Sequence, residues 1–333
     1  MSNITQKQFL EVIRSFAEKR VLVLGDSIID EYIYGVPFGK SLSSPNTPKL
    51  KYERTELFRG GACNVAENLL ALGGKISLIT VVGDDPASEY HSNWSHSNLN
   101  LHAVVEKGRR TTVKSRFSDG TNKLLAVERF DDSELAAKSQ EDILNQATLE
   151  SKQSDAVILQ DQGHGFFSSS LVEKLREATR DCRVLVNSQI YFRDANHSDY
   201  AGFHTIFVNY DEARKICEGF NPDGDGMGLT QRLHANVCVT LGRTGSVYFR
   251  EGNRYYAESV PTEVVDSCGA GDSFLAAFAL SDFEARPDVA LKLANIWAGL
   301  SVQKKGTKVP NIEDLIKHIK ENFPKGVRHG IKT

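Results

Sequence analysis

Long hydrophobic runs are missing from this sequence. No stretch approaches the roughly 20 apolar residues that a membrane-crossing helix requires. The opening segment, MSNITQKQFLEVIRSFAEKR, has no apolar signal core. An excess of positive charge is missing as well. Lys and Arg number 40 against 43 Asp and Glu, a formal net charge of -3, so there is no basic field for nucleic acid or an anionic membrane. Cysteine is scarce and scattered, at positions 63, 182, 217, 238 and 268. The odd number and the lack of any C-x-x-C exclude a disulfide framework and give no zinc spacing. Cys182 and Cys238 lie in apolar runs and are expected as small core residues. With no address visible, the expected compartment is the cytoplasm.

Two nucleotide-binding signatures are also missing. YGVPFGKS (34–41) ends in Gly-Lys-Ser after an apolar run, but only three residues separate Gly35 from Gly39. A phosphate-wrapping P-loop needs four, and it must lead into a helix. Here Pro45 and Pro48 follow, which oppose that helix. After the first apolar run, GDSIID lacks the G-x-G-x-x-G of a dinucleotide site. NPDGDGMG (221–228) lacks the closing Glu of a calcium loop.

What is present is alternation. Phe9, Val12, Ile13 and Phe16 fall at helical spacing behind a Thr5–Gln8 capping box. VLVLG (21–25) reads as a buried strand, and ACNVAENLLALGG (62–74) as a helix stopped by Gly73-Gly74. KISLITVVG, DAVILQ, RVLVN, TIFVN and NVCVTLG read as further strands, interleaved with the helices LVEKLREATR and DEARKICEG. This order predicts one α/β domain over 1–333, a mainly parallel sheet in a three-layer α/β/α body. Two stretches break the pattern. Residues 31–59 are rich in Pro, Ser and Gly, and 109–130 alternate with period two around Asp119-Gly120. Together they predict a small antiparallel flap that excludes water from a reaction. Another hairpin is expected to turn at Gly252-Asn253.

The strongest chemical signal is VVDSCGAGDSFLAAFAL (264–280). Two glycines let the chain turn tightly, so the amides of Gly269, Ala270 and Gly271 can converge on one point at the start of an apolar helix. Asp272 follows in the first turn. A carboxylate beside an anion hole is wasteful for binding alone. It makes sense if Asp272 takes a hydroxyl proton while the amides neutralise a transferring phosphoryl group. The alternative is an acidic residue that stabilises the helix by about 0.5 kcal/mol. On the flap, Thr112, Lys114 and Arg116 share one face by alternation. They form either a basic face that attracts an anionic substrate or an ordinary solvated strand face.

GGACNVAENLLALGG together with DSCGAGDSF resembles the two signature regions of the ribokinase-like (PfkB) carbohydrate kinases. GDSIIDEYIYG and SSPNTPKLK are similar to the branch that phosphorylates heptose 7-phosphate at its anomeric hydroxyl. The resemblance implies an ATP- and Mg²⁺-dependent sugar kinase, with a monovalent cation as an optional addition. It implies Asp272 as base and Gly269, Ala270 and Gly271 as anion hole. It implies Asp30, Gly60, Gly61 and Asn64 as sugar contacts, and QDQGHG keeps Asp161 of a branch motif; Lys114 and Arg116 of the flap face join them as candidate substrate contacts. NYDE (209–212) implies that Asn209 and Glu212 organise hydrated Mg²⁺, with helix capping as a compatible second role. VTLGRTGS implies Thr240, Gly242 and Gly245 near the nucleotide, and Asn295 and Gly306 near its base. It also implies a homodimer through the flap.

The chain departs from that branch at several charged positions. Leu42, Asn46, Ala126, Glu128, His164 and the NSQ of 187–189 replace branch residues, several of them basic. Without its cation, each charge-assisted hydrogen bond to a phosphate could weaken binding by about 1.5–3 kcal/mol. The expectation is an ATP-dependent sugar kinase from, or beside, this branch, with the anomeric hydroxyl of a heptose 7-phosphate or a related sugar as its candidate acceptor. The rival is a ribokinase-fold binding or regulatory protein with weakened catalysis. A nicotinamide oxidoreductase is disfavoured by the absent fingerprint. Ending near residue 333, the chain is expected to carry no fused nucleotidyltransferase.

Overall fold

The computed structural model describes residues 4–44, 47–120, 122–188, 197–224 and 226–325. Pro45, Asn46, Gln189 and Asp225, singled out in the sequence, lie outside the described residues. The chain opens with α1 (Gln6–Ser15), capped by the reciprocal Thr5–Gln8 box. Then come β1 (Arg20–Lys40), β2 (Pro48–Gly61), α2 (Ala62–Ala71), β3 (Lys75–Gly83), α3 (Glu89–Ser92) and β4 (Leu99–Glu106). The second hairpin, β5 (Val113–Ser118) and β6 (Lys123–Arg129), precedes α4 (Ala137–Ser151), β7 (Ala156–Asp161), α5 (Ser169–Ala178) and β8 (Val184–Ser188). The last third holds β9 (Thr205–Asn209), α6 (Tyr210–Ile216), α7 (Met227–Leu233), β10 (Asn236–Thr240), β11 (Ser246–Arg250) and β12 (Asn253–Ala257). It closes with α8 (Ala270–Leu280), α9 (Pro287–Ser301) and α10 (Ile312–Asn322).

The body sheet runs in the order β12-β11-β10-β9-β8-β7-β1-β3-β4. From β10 to β4 the pairings are parallel, and the β11–β12 hairpin adds an antiparallel edge. Apolar strands buried on both faces explain the unbroken hydrophobic runs. In β1, Val21 and Val23 pack with α1, α2, α8 and α9 on one side. Leu22 and Leu24 point the other way, toward Ile143, Leu171 and Leu175 of α4 and α5. Cys238 is fully buried in β10 as expected. Cys182 is not a strand residue; it is half-buried in the turn before β8, its Sγ 3.5 Å from the Ser151 carbonyl.

The flap is built differently from its reading in the sequence. VLVLG and the Gly-rich segment after it are not separate pieces. β1 stays extended for 21 residues, out of the body and into the flap. There its outer half pairs antiparallel with β2 and parallel with β5, and β5 pairs antiparallel with β6. Two hairpins are thus joined along a parallel seam. Gly35 sits in β1 opposite Tyr52, and Ser41 N–H bonds the Thr47 carbonyl across the hairpin loop. YGVPFGKS therefore builds a strand and its turn. Among the described residues, no helix is long and apolar enough to cross a membrane.

Candidate active site

The start of α8 is shaped by Gly269. Its φ of 78° is left-handed, and a Cβ there would stand 2.7 Å from Asn64 Nδ2 and 3.0 Å from Thr307 Cγ2. Conformation and space both demand glycine. The Ala270 N–H turns back to the Ser267 carbonyl at 3.3 Å, while those of Gly269, Gly271 and Asp272 have no protein acceptor among the described residues. The amides left open for an anion are therefore 269, 271 and 272, where the sequence suggested 269, 270 and 271. Beside Gly271 a Cβ would meet nothing within 4 Å, so the turn faces open space. That space is a cavity of about 340 Å³ lined by this turn, Asn209, Glu212 and Thr240.

Asp272 is half-buried at the cavity wall. Its partners are neutral. Asn64 Nδ2 donates to one oxygen at 2.7 Å and Gln160 Nε2 to the other at 2.9 Å. Desolvation lifts its pKa from 3.8 to about 7, against the pull of those two amides. A carboxylate poised there, with no ion pair among the described residues, suits a general base. Gln160, at the end of β7, carries no signal in the sequence, because DAVILQ reads as a plain buried strand.

Of the residues implied for the sugar, Asn64 bonds Asp272, and Asp30 and Lys114 are close enough for their charges to act on it. Asp30, 4% exposed, forms an ion pair with Arg116. Burial still pushes its carboxyl upward, against the guanidinium. The Arg116 guanidinium also lies 5.3 Å from the centre of the Tyr32 ring. A Cβ on Gly60 would stand 2.5 Å from Asp30 Oδ2, so the glycine gives that carboxylate its room. Gly61, with φ of 59°, starts α2 and carries the chain into Asn64. Lys114 sits opposite Asp30 in the β1–β5 register and reaches Glu128 at 3.6 Å. Both flap cations named in the sequence thus already face carboxylates. Asp161 is engaged elsewhere, accepting from Tyr200 at 2.6 Å, Gly163 N–H at 2.8 Å and Ser188 at 3.2 Å. It orders the loop after β7. Asp26, 2% exposed, does likewise by accepting the Gln162 and Phe166 amides. Its pKa is raised to about 7, first by burial and then by Asp161.

Among the residues implied for the nucleotide, a second cavity of about 670 Å³ shares Ser267 and Ala270 with the first. Gly242, Val260, Asn295 and Gly299 are among its walls. Asn209 and Thr240 border the first cavity, and Gly242 and Asn295 border the second. Gly245 and Gly306 border neither cavity. Gly245 lets the start of β11 pass close to the backbone of Ala257 and Ser259. Gly306 packs on Phe58 and donates its N–H to Asp266 at 3.2 Å. Asn209 and Glu212 form a reciprocal capping box, with Glu212 Oε2 accepting the Asn209 N–H at 2.8 Å and Asn209 Oδ1 accepting the Glu212 N–H at 2.9 Å. No group of three or more His, Cys, Asp or Glu able to hold a metal occurs among the described residues. Glu212, a single carboxylate beside Asn209 on this cavity, fits an ion that keeps its waters and binds substrate phosphates, as Mg²⁺ does.

Residues 18–314 match the model of the pfkB family carbohydrate kinases. The chain belongs to that family. This pfkB-family chain is 31% identical over 315 residues to the bifunctional protein HldE of Caulobacter sp. strain K31, covering 91% of itself and 63% of that relative's length. In structure it resembles the ribokinase of Thermotoga maritima (TM-score 0.70, 20% identity, 91% of this chain and 100% of that one). It also resembles the Arabidopsis thaliana ribokinase solved with ribose and ATP (TM-score 0.67, 18% identity, 91% and 99%). The ribokinase-like fold read from the two motifs is the fold the pfkB-family chain has.

Proposed function

We propose that this chain transfers the γ-phosphoryl group of ATP to a sugar hydroxyl. The observation that carries the reading is Asp272, held by two neutral amides beside the open N–H groups of Gly269, Gly271 and its own backbone. Asp272 accepts the proton of the attacking hydroxyl, the amides receive charge that grows on the phosphoryl group, and the helix dipole adds to them. The sugar lies toward Asp30, Gly60, Gly61, Asn64, Lys114 and Arg116. The nucleotide base lies toward Gly242 and Asn295, and the phosphates pass Thr240 and Asn209. Glu212 would hold Mg²⁺ through water, and the ion when bound neutralises the phosphates. A monovalent cation is an optional further requirement. A reaction that uses ATP fits the cytoplasm.

The acceptor is a sugar, with heptose 7-phosphate and related sugars the first candidates. Position 164 separates this chain from the heptose-phosphate pattern. His164 stacks on Phe130 at 4.7 Å, burial lowers its pKa to about 4, and it carries no charge at neutral pH. That observation also favours a second reading, a sugar-binding protein with weakened turnover. The flap edges support a homodimer. β6 is exposed along its length and presents Leu124, Leu125 and Val127.

An ATP-consumption screen against heptoses, hexoses and their phosphates tests the proposal. Turnover of one sugar supports the kinase, and binding without turnover across the panel supports the second reading.

A further inference from the structure

Asp272 is the end of a hydrogen-bonded line that begins inside the core. Trp297 of α9, fully buried, donates its indole N–H to Asn68 Oδ1 at 2.8 Å. An indole has no acceptor, so that hydrogen bond fixes which end of the Asn68 amide faces it. The amide group of Asn68 is left to donate, to Asn64 Oδ1 at 3.1 Å and to the Asn64 carbonyl at 2.9 Å. With its oxygen occupied, Asn64 turns its own NH₂ to Asp272. On the other side Asn187 Nδ2 donates to Gln160 Oε1 at 3.0 Å, and Gln160 presents its NH₂ to the second carboxylate oxygen.

We infer that Trp297 and Asn68 are positioning residues that lock Asn64 as a donor and so hold Asp272 in its proton-accepting form. The inference rests on the reading of Asp272 as the base. Hydrogen bonds donated to a carboxylate favour its charged state, whereas a carbonyl turned toward it would favour the protonated one. Each amide in the line could be flipped with little change in shape, and two groups of fixed polarity, the indole N–H and the Asn64 carbonyl, set the direction at Asn68. Asn68 and Asn64 lie on α2 one turn apart, which places both on the face toward α8 and α9.

Two near-isosteric variants test this, read by titrating the Asp272 carboxyl in ¹³C-aspartate-labelled protein without any ligand. The Asp272 resonance is assigned by its loss in Asp272→Asn. Trp297→Phe keeps the ring bulk and removes the N–H. Asn68→Leu keeps a similar volume without charge and can neither accept from the indole nor donate to Asn64, whose amide is then free to turn its carbonyl to Asp272. The midpoint should rise by about half a unit in Trp297→Phe and by more in Asn68→Leu. Midpoints within about 0.2 units of the unmodified protein in a folded variant overturn the inference. Should Asn68→Leu fail to fold, Trp297→Phe decides alone. If Asp272→Asn keeps full turnover, the base assignment fails instead, and an unmoved midpoint with inactive Asp272→Asn refutes only the positioning role.

Discussion

Gly269 and Asn64 are packed as closely as the site allows: a single added methyl group on Gly269 would stand 2.7 Å from the amide nitrogen that holds the base. Gly269→Ala therefore strains a left-handed backbone and displaces Asn64 together. The strain costs about 1–2 kcal/mol of stability, measurable by thermal unfolding. Phosphoryl transfer should fall about 100-fold or more, because the open amides and the base shift as a unit. A fall in stability with normal kcat would show that the turn is only structural.

The base sets a pH limit. Asp272 must be ionised to accept a proton, and its pKa is raised to about 7. kcat/KM should therefore drop about tenfold per unit as pH falls below that value, and level off above it. A profile flat down to about pH 5 contradicts the assignment.

The same group makes stability run the other way. Asp272 binds its proton in the folded state up to about 7, whereas the ordinary value is 3.8. The native state thus holds the extra proton between those limits, and the stability tied to it is complete below the lower limit and lost as pH rises through the upper. Asp272→Asn removes the ionisation. Its gain in melting temperature over the parent should be near zero at about pH 4 and largest at about pH 8. Asp26 shifts in the same sense but is present in both proteins, so the difference isolates Asp272.

Arg116 pairs with Asp30 at the proposed sugar end. Arg116→Ala leaves Asp30 buried without its partner, and Asp30 then takes up a proton. Loss of one member of such a pair costs about 3 kcal/mol. The KM for the accepted sugar should rise at least about tenfold, while the KM for ATP stays within about twofold. Equal losses for both substrates would remove Arg116 from the sugar site.

Flap and catalytic turn are tied together through Asp266. It accepts Lys123 of β6 at 3.0 Å and the Cys268 N–H at 3.2 Å. Lys123→Met should cost under about 1 kcal/mol, because the lysine is half-exposed. It should lower kcat/KM for the sugar more than it lowers stability, as a loosened lid admits water. Steady-state kinetics and thermal melting on the same preparation check the contrast.

Much of this arrangement is legible in the residues. The strands that build the body are short apolar runs bounded by turns, and the Gly-Ala-Gly-Asp turn can be placed at a helix start by its glycines alone. The path of β1 cannot. Asp26, Asp30, Gly35 and Gly39 interrupt the apolar pattern just where the strand leaves the core for the flap, so the sequence reads as a break while the backbone stays extended. Gln160 and Trp297 are hidden for the opposite reason, since one closes an apolar strand run and the other reads as a core residue of an amphipathic helix. Their importance comes from hydrogen bonds between residues 112 and 229 positions apart in the chain, which no local pattern carries. Gly245 and Gly306 read as nucleotide residues because a motif glycine looks the same whether it spares a ligand or a neighbouring strand.

The most direct measurement is single-turnover phosphorylation by Asp272→Asn, using the sugar that the screen identifies and saturating ATP with Mg²⁺. The account predicts a rate at least about 1000-fold below the parent protein, with ATP and sugar still bound and the fold intact. A rate within about tenfold of the parent would contradict it.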